Sequence, residues 1–435
     1  MKTKVRFNLR IVAAIVACLA GIIMFTACDK DNENGGGSGK IWLDKEGGEK
    51  NRRFNTIYDA VIHAAYVSGS GKYTIRIGGD QVLKKNVPFT TLAGKELDIT
   101  LKPEGNPVKI TASSDFTDGE LFQIYDDCVI TLDEGITLTS IDKNSYWHAL
   151  SIGGNSTVIM NNGVVISGFE MAVNIGYNGT FIMNGGEIRD NPVVGMESSG
   201  NFIMNNGTIS NNGVGVVSYG AFTMNGGTIS KNAEGVRIGV GLFTMKGGSI
   251  TGNKGSGGVN AGIESIFNME NGVISGNVYD GISAPSSGGA GVRGEGTFNM
   301  KGGEIRDNIS SSNGGGVLQW FGIFTMSGGK IINNKAANEG GGVYANELFY
   351  MTGGEISGNE AEKHGGGVYF GSVYISIFTK TGPSSIINNK ANYNLDICIG
   401  REVYGHGGDR RRETPAGPGV DLDSRKILGA GGWEN

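Results

Sequence analysis

One short pattern, written most fully as FTMNGGTISKN at Phe222 to Asn232, returns nine times between Val158 and Asn359. Met stands at 160, 183, 204, 224, 245, 269, 300, 326 and 351, and Gly follows each Met three residues later. Eight of the nine carry Phe two residues before the Met, eight carry Ile five residues after it, and eight carry Asn eight residues after it. The period runs from 20 to 31 residues, too variable for a heptad and too regular for chance, which is the mark of a stacked repeat. A chain built this way grows by adding turns, so 435 residues read as one elongated domain rather than two or three globular ones.

The chemistry inside the repeat selects strands. In F-x-M two large apolar residues alternate with a smaller one, which puts Phe and Met on the inner face of a short strand before the Gly pair breaks it. T-I-S then points one Ile inward, and a third segment such as GVGVV (213–217) or GVRIG (235–239) repeats the alternation. The expected fold is all-β: a right-handed parallel β-helix with three short strands per coil, each strand pairing with its copy at ~4.8 Å per turn. The recurring Asn is expected at a corner, tolerating a left-handed backbone and bonding to its copies above and below. Gly is 77 of 435 residues without an every-third-residue period, and Pro only 8, which excludes collagen and Pro-rich disorder.

The N-terminus reads as a secretion signal, with Lys2, Lys4, Arg6 and Arg10 ahead of an apolar run from Ile11 to Phe25. Its F-T-A-C ending resembles the lipobox of bacterial lipoproteins, which implies that residues 1–27 are removed and that Cys28 becomes the lipid anchor. Residues 28–39, DKDNENGGGSG with its leading Cys, have the composition of a flexible tether. Removing the signal leaves 33 basic against 42 acidic residues, a net charge of −9 that argues against nucleic acid as a partner. Cys128 and Cys398 fall about ten coils, ~50 Å, apart, so no bond between them is expected, and no zinc spacing is present.

Along the chain, the β-helix is expected over residues 40–400. Thr56 to Val67 carries Ile57, Val61, Ala64 and Ala65 on one helical face behind a Thr56/Asp59 capping box, and with the first strand it forms an N-terminal cap over 54–77. His63 on that helix is expected to be partly exposed. Residues 97–152 read as irregular coils, with solvated carboxylates at Asp115, Asp118, Glu120, Asp126 and Asp127 and no ordered calcium loop. Repeat coils fill 158–389, with Lys380 in the last Met position, and 401–435 is an irregular tail. From Asn277 onward the segment before the third strand lengthens, to 15 residues and then 9, so the C-terminal half should carry a ridge of long loops.

With F-x-M, I-x-x-N and G-G-G-V-Y in place, residues 158–370 resemble the right-handed parallel β-helix repeat proteins of bacterial surfaces. They are similar to the passenger of the chlamydial polymorphic membrane proteins, with Ile for Phe in I-S-G-N (356–359) and G-G-G-V at 314–317, 340–343 and 365–368. The helix-then-strand entry resembles the capping of pectin-lyase-like folds. These resemblances imply the coil and a surface location, and no counterpart of the chlamydial transmembrane barrel is expected in these residues.

Pectin-lyase-like folds include polysaccharide lyases and glycosidases, whose chemistry needs carboxylates converging on a groove, ~5 to 9.5 Å apart for glycoside hydrolysis. The outward position of the first strand contains no acid in any repeat. Glu304, Lys330 and Glu355 fall in successive turns, where Lys330 is expected to pair with both Glu. The sequence therefore points to a non-enzymatic, lipid-anchored envelope protein that is adhesive or glycan-binding, with a polysaccharide-active enzyme as the alternative; no catalytic residue, metal site or cofactor is expected, and a single copy is. Val317, Val343 and Val368 point inward, so Leu318, Tyr344 and Tyr369 should point outward as a ladder, extended by Trp320 and the loop residue His364. These five form the candidate site for a glycan or a cell-surface protein.

Overall fold

The computed structural model divides into Met1–Ser38 and Gly39–Asn435, and everything below concerns the second unit. The structure describes residues 41–91, 95–141, 148–282, 288–371, 377–393, 397–399, 426–428 and 432–434. The expected signal, Cys28 and the tether lie outside the described residues, as does most of the tail.

The first coil starts earlier than the sequence reading placed a full turn. Gly71–Ile77, Gln81–Leu83 and Val87–Phe89 found three sheets, and each later coil adds a strand to each sheet in turn, parallel to the one before. The second sheet runs through 13 strands to Ser384–Ile387 and the third through 13 to Ile397–Ile399. The first has 17 strands, the parallel run to Ile377–Lys380 and four antiparallel ones at its ends. This is a parallel β-solenoid, and its repeat residues stay in register: Phe202 pairs with Phe222, Phe222 with Phe243, Met204 with Met224.

Three columns explain why the repeat folds this way. Phe rings from consecutive coils lie face to face, 4.5 Å apart at Phe222–Phe243 and 4.8 Å at Phe243–Phe267, so each buried ring has two aromatic neighbours. The Met column interlocks with the Gly three residues after the next Met: a Cβ on Gly227, at φ +83°, would stand 2.6 Å from Met204 Cε. Glycine is required there twice over, for the turn and for the methyl that fills its vacant side.

The third column is asparagine. Asn212 donates from its backbone N–H (2.9 Å) and from Nδ2 (3.0 Å) to Asn232 Oδ1, and the same Nδ2 reaches Ile188 O at 3.2 Å. The unit recurs from Asn191 to Asn389, all of it buried. The left-handed position is not the ladder residue, as expected, but the one before it: Asp190, Asn211, Lys231, Gly252, Gly276, Asp307, Asn333, Gly358 and Asn388 have positive φ. That residue turns the chain so the ladder side chain points along the stack.

The N-terminal end is closed by two devices. Thr56 Oγ1 accepts from Asp59 N–H at 3.1 Å and donates to Asp59 Oδ2 at 2.7 Å, starting an α-helix, Ile57–Ile62, that continues as a π-helical turn, His63–Ser68. Ile57, Val61, Ala64 and Ala65 are buried, and the helix packs on Val87–Phe89, the first strand of the third sheet. The free edge of the first sheet is covered instead by Ile41–Lys45, which pairs antiparallel with Gly71–Ile77. His63 is only 2 % exposed, contrary to expectation, because Phe54 of the neighbouring strand Arg52–Phe54 folds over it with ring centroids 5.2 Å apart.

The lengthened segments of the C-terminal half form more than loops. They build a fourth, six-stranded sheet from Lys254–Gly255 to Lys390–Tyr393, in which Lys254, Val278, Ile309, Lys335, Glu360 and Lys390 stand in register. Once the extra backbone is present in successive coils, pairing satisfies its N–H and C=O groups as it does elsewhere. In the tail, Lys426–Leu428 and Gly432–Glu434 form an antiparallel pair on Ile377–Lys380.

Candidate functional site

The third sheet carries the expected ladder. Val317, Val343 and Val368 are paired in register and fully buried, and Leu318, Tyr344 and Tyr369 are paired beside them on the outer side. Trp320 follows the first of these strands, its N–H donating to Gly294 O at 2.8 Å. Its ring lies 6.2 Å from Tyr344 at 12° between planes, and Tyr344 lies 5.1 Å from Tyr369 at 19°. His364 ends the fourth-sheet strand Glu360–His364 rather than sitting in a loop, and bridges Tyr369 (6.4 Å) to the exposed Tyr393 (5.1 Å). Four of the five sequence candidates thus form one half-buried aromatic cluster, edged by Phe321 at 6.3 Å from Trp320.

Leu318 is the exception. It faces outward in register yet is 0 % exposed, because the backbone of the preceding turn folds over it; a Cβ on Gly314 would come 2.8 Å from Leu318 Cβ. Covered in this way, it cannot itself touch a ligand.

The ring geometry decides what the cluster offers. Near-parallel rings at this spacing spend their faces on one another, so Tyr344 presents edges and a hydroxyl rather than a flat platform. Burial, with Glu339 nearby, pushes the Tyr344 hydroxyl up to about 12, so it stays a proton donor at any physiological pH. His364 Nδ1 is buried without a hydrogen-bond partner among the described residues.

Two site residues were missed by the sequence reading. Arg293 precedes Leu318 in the same outward column and forms an ion pair with Glu295, both largely buried. The signal was available: Val292 marks the inward position, so its neighbour had to face out. Elsewhere the expected pairing of Lys330 with its flanking Glu gives way to contacts on each Glu's own strand. Glu304 pairs with Arg306 at 3.3 Å, and Glu355 accepts from the Ser357 hydroxyl, although all three columns remain in register.

Two grooves lie elsewhere. One, of about 580 Å³, runs beneath the N-terminal hairpin between Asp44, Lys45, Lys50, Lys72 and Asp98; the other, of about 320 Å³, is lined by Lys102, Pro103 and Asp133 to Gly135. Neither includes a residue of the aromatic cluster. Among the described residues no group of three or more His, Cys, Asp or Glu is placed to hold a metal ion. No family model, curated relative or solved structure matches the chain.

Proposed function

We propose that this chain is a non-enzymatic protein of the bacterial cell envelope, anchored by lipid on Cys28, that adheres to a glycan or a cell-surface protein through the third-sheet face of its C-terminal coils. The reading includes kinship with the right-handed parallel β-helix proteins of bacterial surfaces, supported by the repeat motif and by the crossover preference of parallel strands. The observation that carries it is the contiguity of Trp320, Tyr344, Tyr369 and His364 on a rigid sheet, half-exposed and outside either groove. A row of ring edges and hydroxyls at a pitch of 5 to 6 Å offers hydrogen bonds and apolar contact together, the combination that amphipathic aromatic side chains bring to recognition surfaces.

Replacing Tyr344 and Tyr369 together by Ser tests this. Binding to glycan arrays or to cells should be lost while the melting temperature stays that of the parent. Retained binding with a lowered melting temperature would make the ladder a structural device. Release of new reducing ends or unsaturated sugars from a polysaccharide panel would favour the enzymatic alternative.

A further inference from the structure

The first sheet carries a second surface of different character. From Cys128–Leu132 to Ile377–Lys380, eleven consecutive strands present outward only Ala, Val, Leu, Ile, Thr, Asn and one Tyr, and charged side chains follow just past the strand ends at Asp133, Lys246, Glu270 and Lys301. The two coils before them carry Lys72, Arg76, Asp98 and Lys102 outward, and the second sheet carries Glu187, Arg189, Glu304 and Arg306. Over six of its strands, from Ala221–Met224 to Leu348–Met351, the uncharged face also keeps a constant orientation. Successive Phe rings beneath it, from Phe222 to Phe349, tilt by only 4° to 5° per coil.

Along one border, at the corner from the third sheet to the first, apolar side chains stand in solvent: Tyr219, Val240, Leu242, Ile263, Ile266 and Phe321, between 41 % and 61 % exposed. They concentrate halfway along that border. Leu242–Met245 is the sixth of the eleven strands, and Val240, Leu242, Ile263 and Ile266 all belong to it, its neighbour or the corners leading into them.

The geometry points to a second copy of this chain as the occupant, in place of the single copy expected from sequence. Ten steps of ~4.8 Å by four residues of ~3.3 Å give roughly 630 Å². The exposed border brings this close to the ~800 Å² per partner of a standard interface. An uncharged surface of constant orientation is complementary to itself in shape and charge, and two sheets can pack on it at ~10 Å. With the two-fold axis along Leu242–Met245, the solenoids run antiparallel and the eleven uncharged strands overlap completely. The charged first two coils of each copy then lie beyond the partner's uncharged strands, opposite its terminal pair Lys426–Leu428 and Gly432–Glu434, so Lys72 and Arg76 never meet their own copies.

The adhesive patch uses the third sheet, so this inference stands or falls apart from that reading. The test uses the full chain in detergent, followed by sedimentation and by cross-linking with a short bis-maleimide. The parent should sediment as a dimer, and Leu242→Glu with Ile266→Glu should raise the dissociation constant about thirtyfold or more with an unchanged β-sheet spectrum. Thr244→Cys, on the axis, should cross-link above the parent, and Thr74→Cys, in the same row but on the first coil, far from its own copy, should not. A parent that sediments as a monomer with no Thr244→Cys cross-link overturns the inference. So does equal cross-linking at both positions, or a monomer that adsorbs to insoluble polysaccharide and loses that property in the double Glu variant.

Discussion

Asn253 shows what one side chain contributes to the stack. Its Oδ1 accepts from the backbone N–H and Nδ2 of Asn232, both at 3.0 Å, and its Nδ2 donates to Ile229 O (3.2 Å) and to Asn277 Oδ1 (2.9 Å). Asn253→Ala therefore strands several buried polar groups in two coils and should lower stability by about 1 to 3 kcal/mol. Phe243→Ala removes a ring stacked on both sides and should cost about 3 to 5 kcal/mol. Denaturant unfolding of both variants checks this, and parent-like midpoints would show that the columns are misassigned. The columns were legible because their residue types recur at fixed offsets. The left-handed corner was not, because Asp, Asn, Lys and Gly alternate there and only backbone conformation unites them. Leu318 was misjudged for another reason: alternation tells which way a side chain points, but not what the next turn lays over it.

Among the elements, the N-terminal cap responds to pH through His63. Burial, joined by the charge of Arg52, holds its pKa below the ordinary 6.5, while Glu49, with Oε2 3.7 Å from Nε2, partly opposes them. The sign follows from which state takes the proton. Above about pH 6.5 both folded and unfolded His63 are neutral and the cap keeps its full stability. As pH falls through that value the unfolded chain binds a proton that the folded one resists, so stability drops until the folded pKa is passed. The melting temperature should fall between about pH 7.5 and pH 5, and His63→Gln should reduce the fall. His148, whose pKa is also lowered by burial, leaves a residual slope. An undiminished fall in His63→Gln would assign the response elsewhere. The cap helix itself could be read from its apolar face and its Thr56/Asp59 box. The burial of His63 could not, since it depends on a hairpin from nine or more residues upstream. Likewise the fourth sheet escaped a reading that saw only longer loops, because four of its six strands are two residues long and leave no periodic pattern.

For the whole molecule, thirteen parallel strands at ~4.8 Å set the first about 58 Å from the last. If lipid on Cys28 is the anchor, Cys28→Ala should release the protein from the membrane fraction, and persistence there after a salt wash would require a different attachment. The asparagine ladder adds a direction to this stack. Every unit donates its backbone N–H and one amide hydrogen toward the higher-numbered coil, from Asn191 to Asn212 and onward to Asn389, while from Asn212 on the other amide hydrogen returns to an Ile carbonyl of the coil before. A coil that has just formed thus holds a backbone N–H and an amide hydrogen that nothing satisfies until its successor arrives. A nascent chain emerges in that same order, amino end first, so its growing tip always exposes the donors that recruit the next turn. Folding in that order would make assembly vectorial, each completed coil serving as the template for the one still to be made.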